Sequence, residues 1–130
     1  MPRRPSPYPT EAELEILGVL WEHGPCTVRD VHEALQGPRE TAMTTTLKLL
    51  QVMEAKGLVV RGDGRPARFE ATAPQEQTQA GLLADLAQKA FDGSMGKLLV
   101  RAVEEANLTE TDLAELRKLI GQARKGKGRR

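Results

Sequence analysis

Residues 44–72 read TTTLKLLQVMEAKGLVVRGDGRPARFEAT, and the order of patterns within this stretch decides the fold. Leu49, Leu50 and Met53 recur at helical spacing, which predicts a helix over roughly 42–56. Lys56-Gly57 stops it, because glycine accepts the left-handed conformation that a C-cap requires. Two short β-prone runs follow, Leu58-Val59-Val60 and Ala67 to Thr72, separated by the Gly-rich turn Arg61-Gly62-Asp63-Gly64-Arg65-Pro66. That order predicts an antiparallel hairpin with a basic tip. A helix leading directly into such a hairpin is the second half of a winged helix-turn-helix.

The residues upstream supply the first half. Thr10-Glu11-Ala12-Glu13 reads as a capping box, and Leu14, Leu17 and Trp21 follow at i, i+3 and i+7, with Ile16 and Leu20 widening the stripe. A first helix is predicted over about 11–22, stopped by Gly24-Pro25. Thr27-Val28-Arg29-Asp30 opens a second helix in the same capped manner, with Val28, Val31 and Leu35 on its buried face and Gly37-Pro38 at its end. Four prolines by position 9 predict a flexible arm over 1–9. The winged-helix domain is therefore expected over 10–73.

Downstream the pattern is purely helical. A helix over 75–92 follows Pro74 and carries Leu82, Leu83, Leu86, Ala90 and Phe91; Asp92-Gly93 breaks it. Ser94 caps the next helix, which shows Leu98, Leu99, Ala102 and Val103, and Thr109-Glu110-Thr111-Asp112 caps a last one bearing Leu113, Leu116 and Ile120. Three amphipathic helices in so short a segment cannot cover all these faces. A second copy of the chain is the simplest cover, so 74–121 reads as a helical dimerisation domain. Its expected contacts are Leu82, Leu86, Phe91, Leu98, Leu99, Leu113, Leu116 and Ile120. Residues 122–130 read as a basic flexible tail. The fold class is mainly α with a small β-hairpin.

Composition narrows the function. Aromatic residues make up only 3% of the chain, so the core must be built from aliphatic side chains, as suits a helical protein. No apolar run reaches the roughly 18 residues of a membrane span. The charged N-terminus has no hydrophobic stretch behind it, unlike a signal peptide. With a single cysteine, Cys26, the expected compartment is the cytoplasm. A net charge of +1 hides an uneven distribution: residues 39–68 carry +3 and residues 124–130 carry +5, while the remainder is acidic.

The first basic segment coincides with the predicted recognition elements. Thr44, Thr45, Lys48 and Val52 fall on one side of the third helix, opposite its Leu49/Leu50/Met53 ridge. Exposed β-branched residues are mediocre helix formers, and three consecutive threonines (Thr44 to Thr46) gain a purpose if hydroxyls and methyls meet a DNA groove. Arg61, Arg65 and Arg68 flank the hairpin turn, where a guanidinium can grip a phosphate. The tail adds nonspecific electrostatic affinity or is only a solubilising end. His23, Cys26 and His32 lie within ten residues, but their spacing matches no zinc pattern, so no metal is expected. No Gly-rich phosphate loop, nucleophile elbow or HExxH-type pair occurs. Neither an enzyme nor a cofactor is indicated. A protein-interaction winged helix and a sequence-tolerant architectural DNA binder remain alternatives to a sequence-specific repressor.

The ordered set Glu13-Leu14-Glu15-Ile16-Leu17, Leu20-Trp21, Gly24-Pro25-Cys26-Thr27-Val28, Thr44 to Leu50, Glu54-Ala55-Lys56-Gly57-Leu58-Val59, Ala90 to Ser94 and Leu113 to Leu116 resembles the penicillinase-repressor family, BlaI/MecI/CopY. The resemblance covers about residues 9–121. It implies a homodimeric repressor of near-palindromic double-stranded DNA operators, with Thr44, Thr45, Lys48, Arg65 and Arg68 at DNA-contacting positions. It also implies release through a sensor protein or regulatory protease that cuts an Asn-Phe bond in the dimerisation region. Several positions depart from the family pattern: Val52 stands where many members carry Arg, Lys48 where Thr is frequent, and Thr46 where Val is usual. The cysteine-rich C-terminus of copper-responsive members is absent. No Asn-Phe pair occurs, and Arg101-Ala102 takes its place.

Overall fold

The computed structural model describes residues 8–35 and 42–128. Six helices and three short strands follow in the order α1 (Glu11–His23), β1 (Cys26–Thr27), α2 (Val28–Leu35), α3 (Met43–Ala55), β2 (Val59–Arg61), β3 (Arg68–Ala71), α4 (Gln75–Ala90), α5 (Met95–Glu105) and α6 (Glu110–Gly128). Residues up to Leu83 form one unit and residues from Ala84 another.

Local chemistry sets the element boundaries in the first unit. Thr10 and Glu13 close a reciprocal capping box on α1, and Thr27 and Asp30 do the same on α2. Gly57, at φ +79°, turns the chain out of α3, and the Leu58 amide donates back to the Met53 carbonyl at 2.9 Å. β3 lies between β1 and β2 in an antiparallel sheet, with Phe69 opposite both Cys26 and Arg61. Side chains alternate across a strand, so Phe69 faces the core while Arg68 and Glu70 face away. Ile16, Leu17 and Leu20 of α1, Cys26, Val31 of α2, Leu50 and Met53 of α3, Val59 and Phe69 make one continuous core. The helices α1, α2 and α3 and all three strands contribute to it. The Trp21 indole N–H, donating to the Ala73 carbonyl at 2.9 Å, ties the exit segment back to α1.

A buried ion pair joins the two ends of this architecture. Lys56 Nζ donates to Glu13 Oε1 at 2.7 Å and to the Tyr8 carbonyl at 3.1 Å, with the two charged side chains 8% and 2% exposed. The same carboxylate oxygen accepts the Thr10 amide at 2.8 Å. Burial alone would raise the Glu13 carboxyl, but the hydrogen bond and charge of Lys56, with the Thr10 amide and hydroxyl, bring it below the usual carboxylate range.

Four features differ from the sequence expectations. β1 is an additional strand of two residues, too short for any periodic signal. The first unit reaches Leu83, inside α4, rather than ending near residue 73, and Gly81 of that stretch lies against the Tyr8 ring. α4 itself ends at Ala90, where Asp92 and Gly93 both take positive φ and the Gly93 amide donates to the Ala87 carbonyl at 2.9 Å. The expected flexible tail is helical as far as Gly128, because Gln122, Ala123, Arg124 and Lys125 are good helix formers and cations near a C-terminus suit the helix dipole. Most of the N-terminal arm, the Gly37-Pro38 stop and the last two residues lie outside the described residues.

The second unit has little interior. Among its described residues only Ala87 and Leu98 are buried, and α6 has no buried residue. The Ser94 hydroxyl caps α5 by accepting the Lys97 amide at 3.1 Å, and Thr109 and Asp112 cap α6 reciprocally.

Removing one member of a buried ion pair strands the other. Glu13→Gln should lose about 3–5 kcal/mol in urea unfolding, and Glu13→Gln/Lys56→Met should regain most of it. Because the folded carboxyl titrates below its unfolded value, its contribution is complete above the unfolded pKa and is lost as the pH falls through the folded one. As the pH falls below the usual carboxylate range, the wild-type chain should therefore lose stability more steeply than Glu13→Gln.

Candidate nucleic-acid interface

The buried side of α3 is the row Thr46, Leu50 and Met53, so the opposite side faces outward. Thr44, Thr45, Lys48 and Val52 are all exposed, as their spacing predicts. Thr46 does not join them. It is buried and shares a hydrogen bond of 3.1 Å with His32 Nδ1 on α2, so the three consecutive threonines split between core and surface. Among the described residues, Lys48 has no ion-pair or hydrogen-bond partner within the chain.

The N-terminus of α3 differs from those of its neighbours. Side chains of Thr10, Thr27, Ser94 and Thr109 occupy the amides that open α1, α2, α5 and α6. At α3 the N-cap is Ala42, which has no side-chain acceptor, and no acidic residue stands in the first turn. Among the described residues, no side chain caps or screens the positive end of the dipole beside Thr44 and Thr45.

The hairpin distributes its arginines differently from the sequence expectation. Arg65 lies in the exposed turn. Arg61 ends β2 on the same side as Phe69, its guanidinium carbon 5.8 Å from the ring centroid. Arg68 points to the other side of the sheet, opposite Thr27. There its charge helps lower the Asp30 carboxyl, after the larger effects of the Thr27 amide and hydroxyl. Arg61 and Arg68 thus lie on opposite faces, and Arg68 also supports the start of α2. The residues weighed for a metal each have other partners. His23 lies at the end of α1 beside Glu22, His32 meets Thr46, and Cys26 faces the core. Burial raises the Cys26 thiol, with Asp30 adding to it and Arg68 opposing, and Sγ donates to the Gly24 carbonyl at 3.3 Å.

The expected dimer contacts also divide. Leu86, Leu99 and Ile120 are exposed; Leu82, Phe91, Leu113 and Leu116 are half-buried. Leu98 is a correction: it turns inward and, with Ala87, forms the small interior of the second unit. Leu83, Val100, Val103 and Leu119 are exposed in addition, with Val100 60% and Ile120 58% accessible.

A model of the penicillinase repressor family matches residues 9–122. The chain belongs to that family. The chain is 36% identical over 123 residues to the transcriptional regulator BlaI of Mycobacterium tuberculosis, covering 92% of this chain and 88% of that protein. It is 19% identical over 114 residues to the methicillin resistance regulatory protein MecI of Mammaliicoccus sciuri, covering 87% and 93% of the two. A looser likeness, with a TM-score of 0.41 and 19% identity, relates it to a MarR family transcriptional regulator from Silicibacter pomeroyi, over 88% of this chain and 68% of that one. The chain is a DNA-binding transcriptional repressor and not an enzyme. Among the described residues no helix is long and apolar enough to cross a membrane.

Sequence reasoning missed Ala42 as an unfilled cap. The signal was available, since every other capped helix opens on Ser or Thr. Replacing it by Asp should raise stability by about 0.5–2 kcal/mol, measured by thermal unfolding without DNA.

Proposed function

We propose that this repressor acts in the cytoplasm as a homodimer on near-palindromic operators, with the two copies of α3 in successive major grooves. The observation that carries the reading is the outward face of α3, where Thr44, Thr45 and Lys48 stand exposed. Beside an uncapped helix N-terminus, which favours phosphate, these groups have the chemistry of a groove-reading surface. Arg65 in the hairpin turn and Arg61 beside it add phosphate contacts, which position without specifying sequence.

Dimerisation is supported by the second unit. A segment with two buried side chains and a series of exposed leucines, valines and isoleucine has too little interior to be stable alone. Pairing two copies covers those faces and links two half-sites, which multiplies operator affinity. Release follows a route other than cleavage at Asn-Phe. Arg101 and Ala102 lie exposed within α5, and a protease pocket selective for Phe gains little apolar burial from alanine.

Sedimentation of the full chain at micromolar concentration should give a dimer; a monomer would remove the dimer reading. Lys48→Ala should weaken operator binding by about 1–3 kcal/mol if the ammonium meets a base, and reduce the salt dependence if it meets a phosphate. Fluorescence anisotropy across a salt series distinguishes the two, and unchanged affinity and slope would take α3 out of the recognition role. Arg65→Ala should lower affinity for all duplexes alike.

A further inference from the structure

The outward face of α3 contains a residue that the reading of threonines and lysine overlooks. Thr44, Lys48, Gln51 and Ala55 succeed one another at i, i+4, i+7 and i+11, a single row along the helix. All four are exposed, and the row lies opposite Thr46, Leu50 and Met53, the buried residues of α3. Gln51 therefore occupies the middle of the outward surface. Among the described residues its amide has no hydrogen-bond partner, so no structural duty within the chain accounts for it.

The groups in this row differ in what they can specify. A threonine hydroxyl donates or accepts and tolerates several bases. An ammonium is a rotatable point charge that serves a phosphate as well as guanine. Only the Gln51 amide combines one donor and one acceptor in a fixed plane. In the major groove that pair matches the N7 acceptor and N6 donor of adenine, which no other base presents together. Val52, next in sequence and 43% exposed, and Ala55, one turn on, put methyl groups beside the amide. Those methyls suit the 5-methyl of thymine in an A·T pair. Gln51 is three positions beyond Lys48, about 4.5 Å along the helix axis, against about 3.4 Å between base pairs. The two side chains thus address neighbouring steps.

We infer that Gln51 is a specificity-determining residue that reads adenine at one position of each operator half-site, flanked by the apolar surface of Val52 and Ala55. The inference rests on α3 being the DNA-reading helix. No other planar amide stands on α3; its remaining exposed polar side chains are the Thr45 hydroxyl and the Glu54 carboxylate.

The test uses the full chain and a pool of duplexes with randomised half-sites, selected by binding and then sequenced, for wild type, Gln51→Ala and Gln51→Glu. Wild type should enrich A·T at one position per half-site. In Gln51→Ala that preference should fall by about 5- to 150-fold while the other positions keep theirs. In Gln51→Glu the same position should turn toward C·G, because a carboxylate accepts from cytosine N4. Gln51 is exposed and alanine is the better helix former, so the alanine variant should fold as wild type does. A wild-type site whose preferences all survive in Gln51→Ala would overturn the inference and leave the DNA-reading helix standing. So would a Gln51-dependent position that selects G·C. A wild-type chain that enriches no sequence would overturn sequence-specific reading itself, and the inference with it.

Discussion

Lys56 stands at the C-cap of α3 and Glu13 in the first turn of α1, and a contact of 2.7 Å between their buried charges holds the two helix ends together. Burying two charges is costly unless geometry and further hydrogen bonds satisfy them. Here they are satisfied: the carboxylate oxygen also accepts the Thr10 amide, and the ammonium also donates to the Tyr8 carbonyl. The carboxylate thus caps α1 and neutralises Lys56, whose ammonium holds the chain before α1, at the Tyr8 carbonyl, to the end of α3. With α3 fixed at that end, Leu50 and Met53 seat in the common core and the opposite row is left outward. The outward face has its orientation because the inward face is held by charge as well as by apolar packing.

Stability and recognition divide the same helix. Ser or Thr caps satisfy the amides of α1, α2, α5 and α6, whereas α3 opens on Ala42. Thr44, Thr45 and Val52 on its outer side are β-branched, which further lowers its intrinsic helicity. Both features have a use where a phosphate approaches the free amides and a groove meets the methyls. The second unit shows the same division, with apolar side chains left outside where one copy of the chain cannot cover them.

The legible parts of the sequence were those fixed by near neighbours. Capping pairs three residues apart, Gly57 after Lys56 and the Gly-rich turn between β2 and β3 each announce their element locally. The outward placement of Thr44, Thr45 and Lys48 followed from helical spacing alone. What sequence reading missed depends on contacts between distant residues. Glu13 and Lys56 are 43 positions apart, and each had a sufficient local role of its own. Thr46 belonged to an exposed-looking run until His32, on another helix, supplied a partner for its hydroxyl. Arg61 and Arg68 looked like one basic cluster, yet strand register sends them to opposite faces. Leu98 resembled its neighbour Leu99 in pattern, and only the packing of α5 made one interior and the other exposed. Gln51 was passed over because an uncharged amide has no composition signal; its place in the row emerges once the buried side of α3 is known.

The central claim is that α3, held by its inward face, presents its outward face to DNA. Amide chemical-shift mapping of the isotopically labelled full chain, titrated with a selected operator duplex, tests it most directly. The largest changes should fall on Met43–Ala55 and on the hairpin from Arg61 to Arg68, with the amides of α6 nearly unmoved. Changes concentrated in α5 and α6, with α3 silent at saturating duplex, would contradict it.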